Sequence, residues 1–404
     1  MIDPIEGGVT APAGFKAASV HCGLKSDGAS HDLAVLYSEY PTHSAAVFTT
    51  NDVKAAPVLW SAERVRADNL RAAVVNAGNA NACTGARGLA ATEQSARALA
   101  DQLGLGADQI YVASTGIIGV PLPVEKIVAG VEAAVPNLSH SSAAGQEFAR
   151  AIMTTDTMPK SVAFRFMVGK TEVHLGGAAK GSGMIAPNMA TMLGFLTTDA
   201  VISRRALEAA LRGSVENSFN RITVDGHTST NDSVLLMANG AARNEAIEEG
   251  TQAFAAFCKV LNLVCLSLAK MIVRDGEGAT KVIRVDVTGA GERQQATLAA
   301  RAIANSPLVK AAVNGGDPNW GRVISAAGYS GASLVLDKAR LWIGDLLVFE
   351  NGMPAAVSTA EAAARMKGTD ICFRLDLAMG SESDTFWTCD LSKEYVAINA
   401  DYHT

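Results

Sequence analysis

Twice in succession the chain runs strand, polar loop, helix, and that order narrows the folds open to it more than any other feature. Arg71–Asn76 reads as a short buried strand, followed by Ala-Gly-Asn-Ala-Asn-Ala-Cys-Thr-Gly85 and a helical pattern through Leu103. Gln109–Ser114 reads as a second strand, Thr115-Gly-Ile-Ile-Gly119 as its loop and Val124–Val135 as its helix, with Pro121 and Pro123 preset for the helix entrance. Two such units predict stacked layers of sheet and helix, an α/β class. The 404 residues are enough for two or three domains, or one large α/β body, at roughly 100–200 residues per domain.

The rest of the chain fits around those units. The first seventy residues read as β-rich, with short apolar stretches at Asp32–Tyr37 and Ala45–Thr50. Ser161–Val168 and Lys170–Leu175 predict a hairpin turned near Gly169. Ser203–Ser218 reads as an amphipathic helix capped by Ser203, and Ala253–Ile272 as a longer one with Phe257, Leu261, Val264, Leu268 and Ile272 on one face. From Val282 the pattern predicts a strand to Val287, a helix over Gln294–Ala304, and strands near Ser333–Leu336, Leu341–Phe349 and Cys372–Leu377, with Asn351-Gly352 as a tight turn. A smaller α/β region is expected over 285–404, after a boundary near residues 278–290.

Composition removes several function classes. Hydrophobic residues make up 49% and charged residues 18%, too apolar for a disordered chain. A net charge of −6 leaves no basic surplus for phosphates, so no nucleic-acid partner is expected. The six cysteines form no C-x-x-C pair, in keeping with reduced thiols. Around Val260–Val273 the longest apolar region is broken by Asn262, Ser267 and Lys270, which predicts a buried helix and no membrane partner, since a span needs roughly 18–20 apolar residues. The first residues show neither a basic nor an apolar leader pattern, so a cytoplasmic location is the expectation.

No H-E-x-x-H or G-x-x-x-x-G-K-[ST] occurs and the seven histidines are scattered, so neither a metal nor an organic cofactor is expected. Gly328-Tyr-Ser330-Gly-Ala332 lacks the last glycine of a serine-hydrolase elbow, and Gly181-Ser-Gly183 lacks the third glycine of a dinucleotide loop. The Asn76–Gly85 loop reads either as a turn held by its own Asn side chains or as a substrate-facing wall. Thr115 and Gly116 pair a hydroxyl with a glycine N–H, two neutral donors of the kind that stabilise an oxyanion during acyl transfer.

Lys180-Gly-Ser-Gly-Met-Ile-Ala-Pro-Asn-Met-Ala-Thr-Met-Leu193 begins with glycines and ends in a strand-like run. A threonine becomes an effective nucleophile when it is the first residue of a chain and its own α-amine takes the proton. Ala190 is small enough to let the Thr191 hydroxyl attack the preceding carbonyl, and Gly181, Gly183 and Pro187 suit the bent backbone such self-cleavage requires. Ala-Thr pairs are nonetheless common, and a buried strand threonine is the ordinary case.

This run resembles the processing and nucleophile signature of the ornithine acetyltransferase (glutamate N-acetyltransferase) family of arginine biosynthesis. Asn79–Gly85, Ser114–Gly119, Ala151–Asp156, Ser229-Thr-Asn-Asp232, Asp275-Gly-Glu-Gly278, Asp317-Pro-Asn-Trp-Gly-Arg322 and the Asn399–Thr404 tail agree in order and spacing, so the likeness spans nearly the whole chain. It implies a layered helix–sheet fold of the N-terminal-nucleophile type. It also implies self-cleavage between Ala190 and Thr191 into an α chain, 1–190, and a β chain, 191–404. Thr191 would carry the acetyl group from N2-acetylornithine to glutamate, with Thr115 and Gly116 as the oxyanion hole. Thr154, Lys180, Thr191, Glu277, Asn399 and Thr404 match the family's substrate-binding positions. The resemblance admits acetyl-CoA as a second acetyl donor and implies a heterotetramer of two α and two β chains. Lys180 suits a substrate carboxylate and Glu277 an ornithine ammonium. Asp225, Asp232 and Asp317 read as structural or site-ordering acids. Two rival readings stay open at this point: a related self-processing aminopeptidase or amidohydrolase, and an amino-acid-binding module that is never cut.

Overall fold

The computed structural model describes residues 2–186 and 192–401. Pro187, Ala190, Thr191 and Thr404 therefore lie outside the described residues. The chain forms two compact units, one built from the chain up to Asn220 with His227–Ile272, the other from Arg221–Gly226 with the chain from Val273 on.

In the first unit alternation along each strand sends neighbouring side chains to opposite faces. A four-stranded sheet orders Phe15–Val20, Leu33–Ser38, Ala72–Asn79 and Ile110–Ile117, the last two parallel, as the two strand–loop–helix repeats require. Val35, Val74 and Val112 face Leu99, Ile127 and Val131 of the helices Gly85–Leu103 and Val124–Ala134. Their neighbours Leu36, Val75 and Tyr111 point the other way, onto Phe195, Leu235 and Met237 of a second sheet. That sheet orders Ile2–Ile5, Lys160–Val168, Thr171–Lys180, Leu193–Thr198, Ser233–Ala238 and His43–Phe48. Phe195 sits edge-on to Tyr111 and to Phe148, with ring centroids 6.3 and 5.3 Å apart. Burying each such ring or a leucine contributes about 1.5–3 kcal/mol, so this seam is where the unit's stability concentrates.

The outer face of the larger sheet is covered by the helix Gln252–Arg274, through Phe257 against Phe166 and Leu268 against Gly177. Its polar interruptions do not disqualify it on length and composition as a membrane-crossing helix, yet Phe257, Leu261, Val264, Leu268 and Ile272 are all buried in the protein. The layering is thus helix, sheet, sheet, helix, an α/β fold of the expected layered class.

The second unit is a six-stranded sheet ordered Met353–Pro354, Leu346–Glu350, Arg340–Ile343, Asp370–Asp376, Val282–Ala290 and Glu382–Cys389. Ile283, Val285, Val287 and Phe386 of the sheet form one core with Ile303, Val309 and Val323 of the helices Arg293–Asn305, Pro307–Gly315 and Trp320–Gly328.

Several local readings need correction. The β-rich first seventy residues also hold a helix, Ala56–Ala67, opened by Pro57 and tied in by Ser61 Oγ, which donates to the Val112 carbonyl at 2.8 Å. Ser203 occupies the N-cap of Arg204–Glu216, but its hydroxyl donates to Glu248 at 2.6 Å instead of capping. Ser333–Leu336 is not a strand: Val335 and Leu336 are exposed, and the Ser333 N–H goes to the Gln295 side chain. Leu341–Phe349 is two strands turned at Gly344, whose φ of +61° favours glycine. All six cysteines are free thiols.

Candidate functional site

The end of the strand Ile110–Ile117 carries Thr115 and Gly116, which the sequence placed in a loop. The neighbouring parallel strand bulges at Gly78–Asn79. A Cβ on Gly116, where φ is +132°, would come within 2.3 Å of the Gly78 carbonyl carbon, so glycine is required for the two backbones to meet. Below them Ser114 Oγ donates to Asn76 Oδ1 at 2.6 Å, and Asn76 Nδ2 donates to the Asn79 carbonyl at 2.8 Å. The following loop is held by its own amides: Asn81 N–H meets Asn79 Oδ1 at 2.8 Å, and Asn81 Nδ2 meets the Gly88 carbonyl at 2.9 Å. Thr115 is buried at this rigid corner.

Thr154 and Lys180 meet around a residue that the sequence reading did not single out, Asp156. Its Oδ1 accepts from Lys160 Nζ at 2.6 Å and from the Gly181 N–H at 2.7 Å. Its Oδ2 accepts from the Thr154 N–H at 3.0 Å and lies 3.9 Å from Lys180 Nζ. Burial by itself would push this carboxyl up, but Lys180, Lys160 and the Gly181 N–H hold it down at about 2. The motif Thr154-Thr-Asp156 with a lysine four residues on was the signal that could have found it.

Lys180 ends the strand Thr171–Lys180 and pairs in register with Leu193. The chain leaves the sheet after Lys180 and rejoins it at Leu193, two residues beyond position 191. Within the described part of that excursion positive φ falls at Gly181 (+152°) and Met184 (+57°), and not at Gly183. Met192 is buried, its N–H donating to Asp232 Oδ1 at 2.9 Å and its carbonyl accepting from the Ser233 N–H at 3.2 Å.

In the second unit Glu277 and Asn399 come together. Asn399, on the helix Lys393–Asp401, donates through Nδ2 to Glu277 Oε2 at 2.8 Å. The loop carrying Glu277 lies flush on the start of that helix. Gly278, φ +67°, has no room for a Cβ beside the Tyr395 N–H, and Ser392 Oγ donates to its carbonyl at 2.6 Å. Burial, with Asp225 and Glu277 nearby, pushes the Tyr395 phenol up. Asp225 accepts from the Tyr395 hydroxyl at 3.4 Å. Asp317 accepts from Asn319 Nδ2 at 3.0 Å, next to the helix Trp320–Gly328 that Asn319 caps, and so acts locally. A cleft of about 440 Å³ is lined by Asp317 and Trp320, and neither it nor a cleft of about 490 Å³ by His43 is lined by the expected catalytic or substrate-binding residues.

The first unit offers two neutral donors at a rigid strand end and the buried Lys180 side chain at the end of its strand, and the second unit separately offers the buried Glu277. These are groups suited to an oxyanion, a substrate carboxylate and a substrate ammonium.

Comparison with known proteins bears on this chemistry. The ArgJ family model matches residues 16–404. An arginine biosynthesis bifunctional protein of Symbiobacterium thermophilum is 50% identical over 401 residues, 99% of each chain. Among solved structures, an arginine biosynthesis bifunctional protein of Bacillus halodurans is 44% identical, with a TM-score of 0.50, covering 52% of this chain and 98% of its own. An ornithine acetyltransferase of Mycobacterium tuberculosis, solved with ornithine, is 45% identical, with a TM-score of 0.44, covering 46% of this chain and 99% of its own.

Proposed function

The chain belongs to the ArgJ family, an enzyme family of arginine biosynthesis, and from that premise we propose that it moves the acetyl group of N2-acetylornithine to glutamate through an acetyl-Thr191 intermediate. The precursor first splits its own Ala190–Thr191 bond. The new Thr191 amine, with a reference pKa of about 7.7–8.0, then takes the proton of its own hydroxyl. The oxygen attacks the acetyl carbonyl, and the negative oxygen that develops is met by the Thr115 hydroxyl and the Gly116 N–H. As the C–N bond breaks, the amine's proton passes to the departing ornithine nitrogen. Glutamate's amine attacks the acetyl ester in the second half, and Thr191 recovers its hydroxyl proton. No cofactor carries the acetyl group, and acetyl-CoA is a second donor for the same ester.

Lys180 binds a substrate carboxylate, Thr154 and Asn399 line the amino-acid sites, Glu277 takes the ornithine ammonium, and the Thr404 terminus completes the set. The fragments 1–190 and 191–404 remain paired and assemble as two of each in the cytoplasm.

The observation that carries this reading is the register of Lys180 with Leu193. It puts the entry and exit of the 181–192 segment on neighbouring strands, so a chain cut within that segment stays joined through the pairing of one sheet. The Bacillus halodurans chain supports it, matching slightly over half of this one while being covered almost completely.

Intact mass and N-terminal sequencing test it. Wild-type protein should give two fragments, the second starting at Thr191, and brief exposure to acetylornithine without acceptor should add one acetyl group to that residue. Thr191→Ala should stay whole and inactive. A mature protein starting only at Met1, or ornithine release that ignores glutamate, overturns the proposal.

A further inference from the structure

The turn Ser229-Thr-Asn-Asp232 holds two buried side chains that tie the two halves of this chemistry together. Asn231 Nδ2 donates to the Ser114 carbonyl at 2.8 Å and to the Ala80 carbonyl at 2.6 Å, while its Oδ1 accepts from Thr230 Oγ1 at 2.6 Å. Asp232 accepts the Met192 N–H through Oδ1, and its Oδ2 is buried with no hydrogen-bond partner among the described residues. The turn itself is anchored on both sides, by the Ala55 N–H on the Thr230 carbonyl at 3.0 Å and the Thr49 N–H on the Asp232 carbonyl at 2.9 Å.

We propose that Asn231 and Asp232 are positioning residues that set the nucleophile strand against the oxyanion strand. This rests on the reading of Thr191 as nucleophile and of Thr115 and Gly116 as its oxyanion donors. A peptide group is planar, so holding the Ser114 carbonyl fixes the plane from which Thr115 departs, and holding the Met192 N–H restrains the plane on the C-terminal side of residue 191. Both planes are held from adjacent residues of one turn. An error of about 1 Å in such a constellation can cost on the order of a hundredfold in rate.

Asp232 acts here as an acceptor whose burial disfavours the charged form. Burial pushes its carboxyl well above the usual carboxylate range, beyond what the Met192 N–H and Lys180 offset. Among the described residues nothing donates to Oδ2, and natural chains keep such buried groups where they are used.

The test uses full-length Asp232→Ala, Asp232→Asn and Asn231→Ala beside wild type, with circular dichroism to confirm folding. Asp232→Ala should split about a hundredfold more slowly than wild type. Asp232→Asn keeps an acceptor for Met192 and should split within about tenfold of wild type, with a pH–rate profile of unchanged shape. Asn231→Ala should mature but lose about a hundredfold in kcat, with KM within about threefold. Splitting of Asp232→Ala at the wild-type rate, an Asp232→Asn as slow as the alanine variant, a pH limb lost in Asp232→Asn, or an Asn231→Ala defect confined to KM each overturns the proposal. If Asp232→Ala does not fold, the Asp232→Asn rate and pH profile decide. Uncut wild type removes the nucleophile reading itself, whereas wild type and Asp232→Ala cut alike remove only the positioning role.

Discussion

Asp156 and Asp232 are both buried in the first unit, yet their surroundings shift their carboxyls in opposite directions. Asp156 has Lys160 at 2.6 Å, Lys180 at 3.9 Å and two backbone N–H groups, and stays ionised despite its burial. Asp232 has the Met192 N–H on one oxygen, with the Ser229 backbone and hydroxyl and Lys180 also favouring its charged form, yet burial outweighs them and pushes its carboxyl up. The difference teaches that burial alone says nothing about charge: the number of cations and donors within reach decides it. Under the proposed mechanism Asp156 orders the surroundings of Lys180, and Asp232 holds the Met192 N–H beside the proposed nucleophile.

The largest expected contrast is in stability. Asp156→Ala leaves Lys160 and Lys180 buried without that carboxylate and should lower unfolding free energy by about 3–5 kcal/mol. Asp232→Asn replaces an acid whose burial disfavours its charged form by a neutral amide, so it removes the cost of keeping that acid protonated and should not lower stability at neutral pH. Urea unfolding of the two variants side by side reads this directly, and equal losses would break the contrast.

The pH dependence should follow the same division. Asp156 has a folded pKa near 2, below its unfolded value, so its contribution is complete above about pH 4 and is lost as pH falls toward 2, a change of about 2–3 kcal/mol. Asp232 has a raised folded pKa, so stability falls as pH climbs from about 4 through that value and levels off above it. Asp156→Ala should flatten the acid limb of a stability–pH curve, and Asp232→Asn the neutral-to-alkaline descent. A variant that flattens the other limb would reverse the assignment.

Lys180→Met sharpens the functional side. Asp156 keeps Lys160 and its two N–H donors, so the fold should survive, while KM for the amino-acid substrates should rise about 10–100-fold, or about 1.4–2.7 kcal/mol. An unchanged KM with a lower kcat would move Lys180 from carboxylate binding to the chemical step.

What the sequence revealed and what it hid follow the same physics. The parallel strands Ala72–Asn79 and Ile110–Ile117 and their helices were legible because apolar periodicity and turn residues are local signals. Ser233–Ala238 and Glu382–Cys389 passed unread, although the first pairs with Leu193–Thr198 at the centre of a sheet. Their strand character comes from neighbours far along the chain. Gly116 announced itself as half of a donor pair, but only the approach of Gly78 shows why no other residue fits there. Asp156 was hidden because its partners are a lysine four residues on and two donors supplied by the fold. Asp232 was noticed as an acid in a motif, but its loneliness is a property of three-dimensional burial.

Glu277 provides the smallest and most discriminating comparison, because it combines features of both aspartates. Like Asp232 it is buried and accepts from a neutral donor on one oxygen, here the Asn399 side chain; like Asp156 it sits where the proposal places a charged group of the ligand nearby. If its task is to receive an ammonium, Asn399 only aims it, and removing one such hydrogen bond costs about 0.5–1.5 kcal/mol. Asn399→Ala should then raise KM for acetylornithine by about three- to tenfold, leave KM for glutamate nearly unchanged, and barely move the urea midpoint. Asn399→Asp replaces the donor by a group of like charge at the same oxygen and should raise that KM further. A change of equal size for both substrates would mean that Glu277 orders the loop on which it sits and does not select the amine.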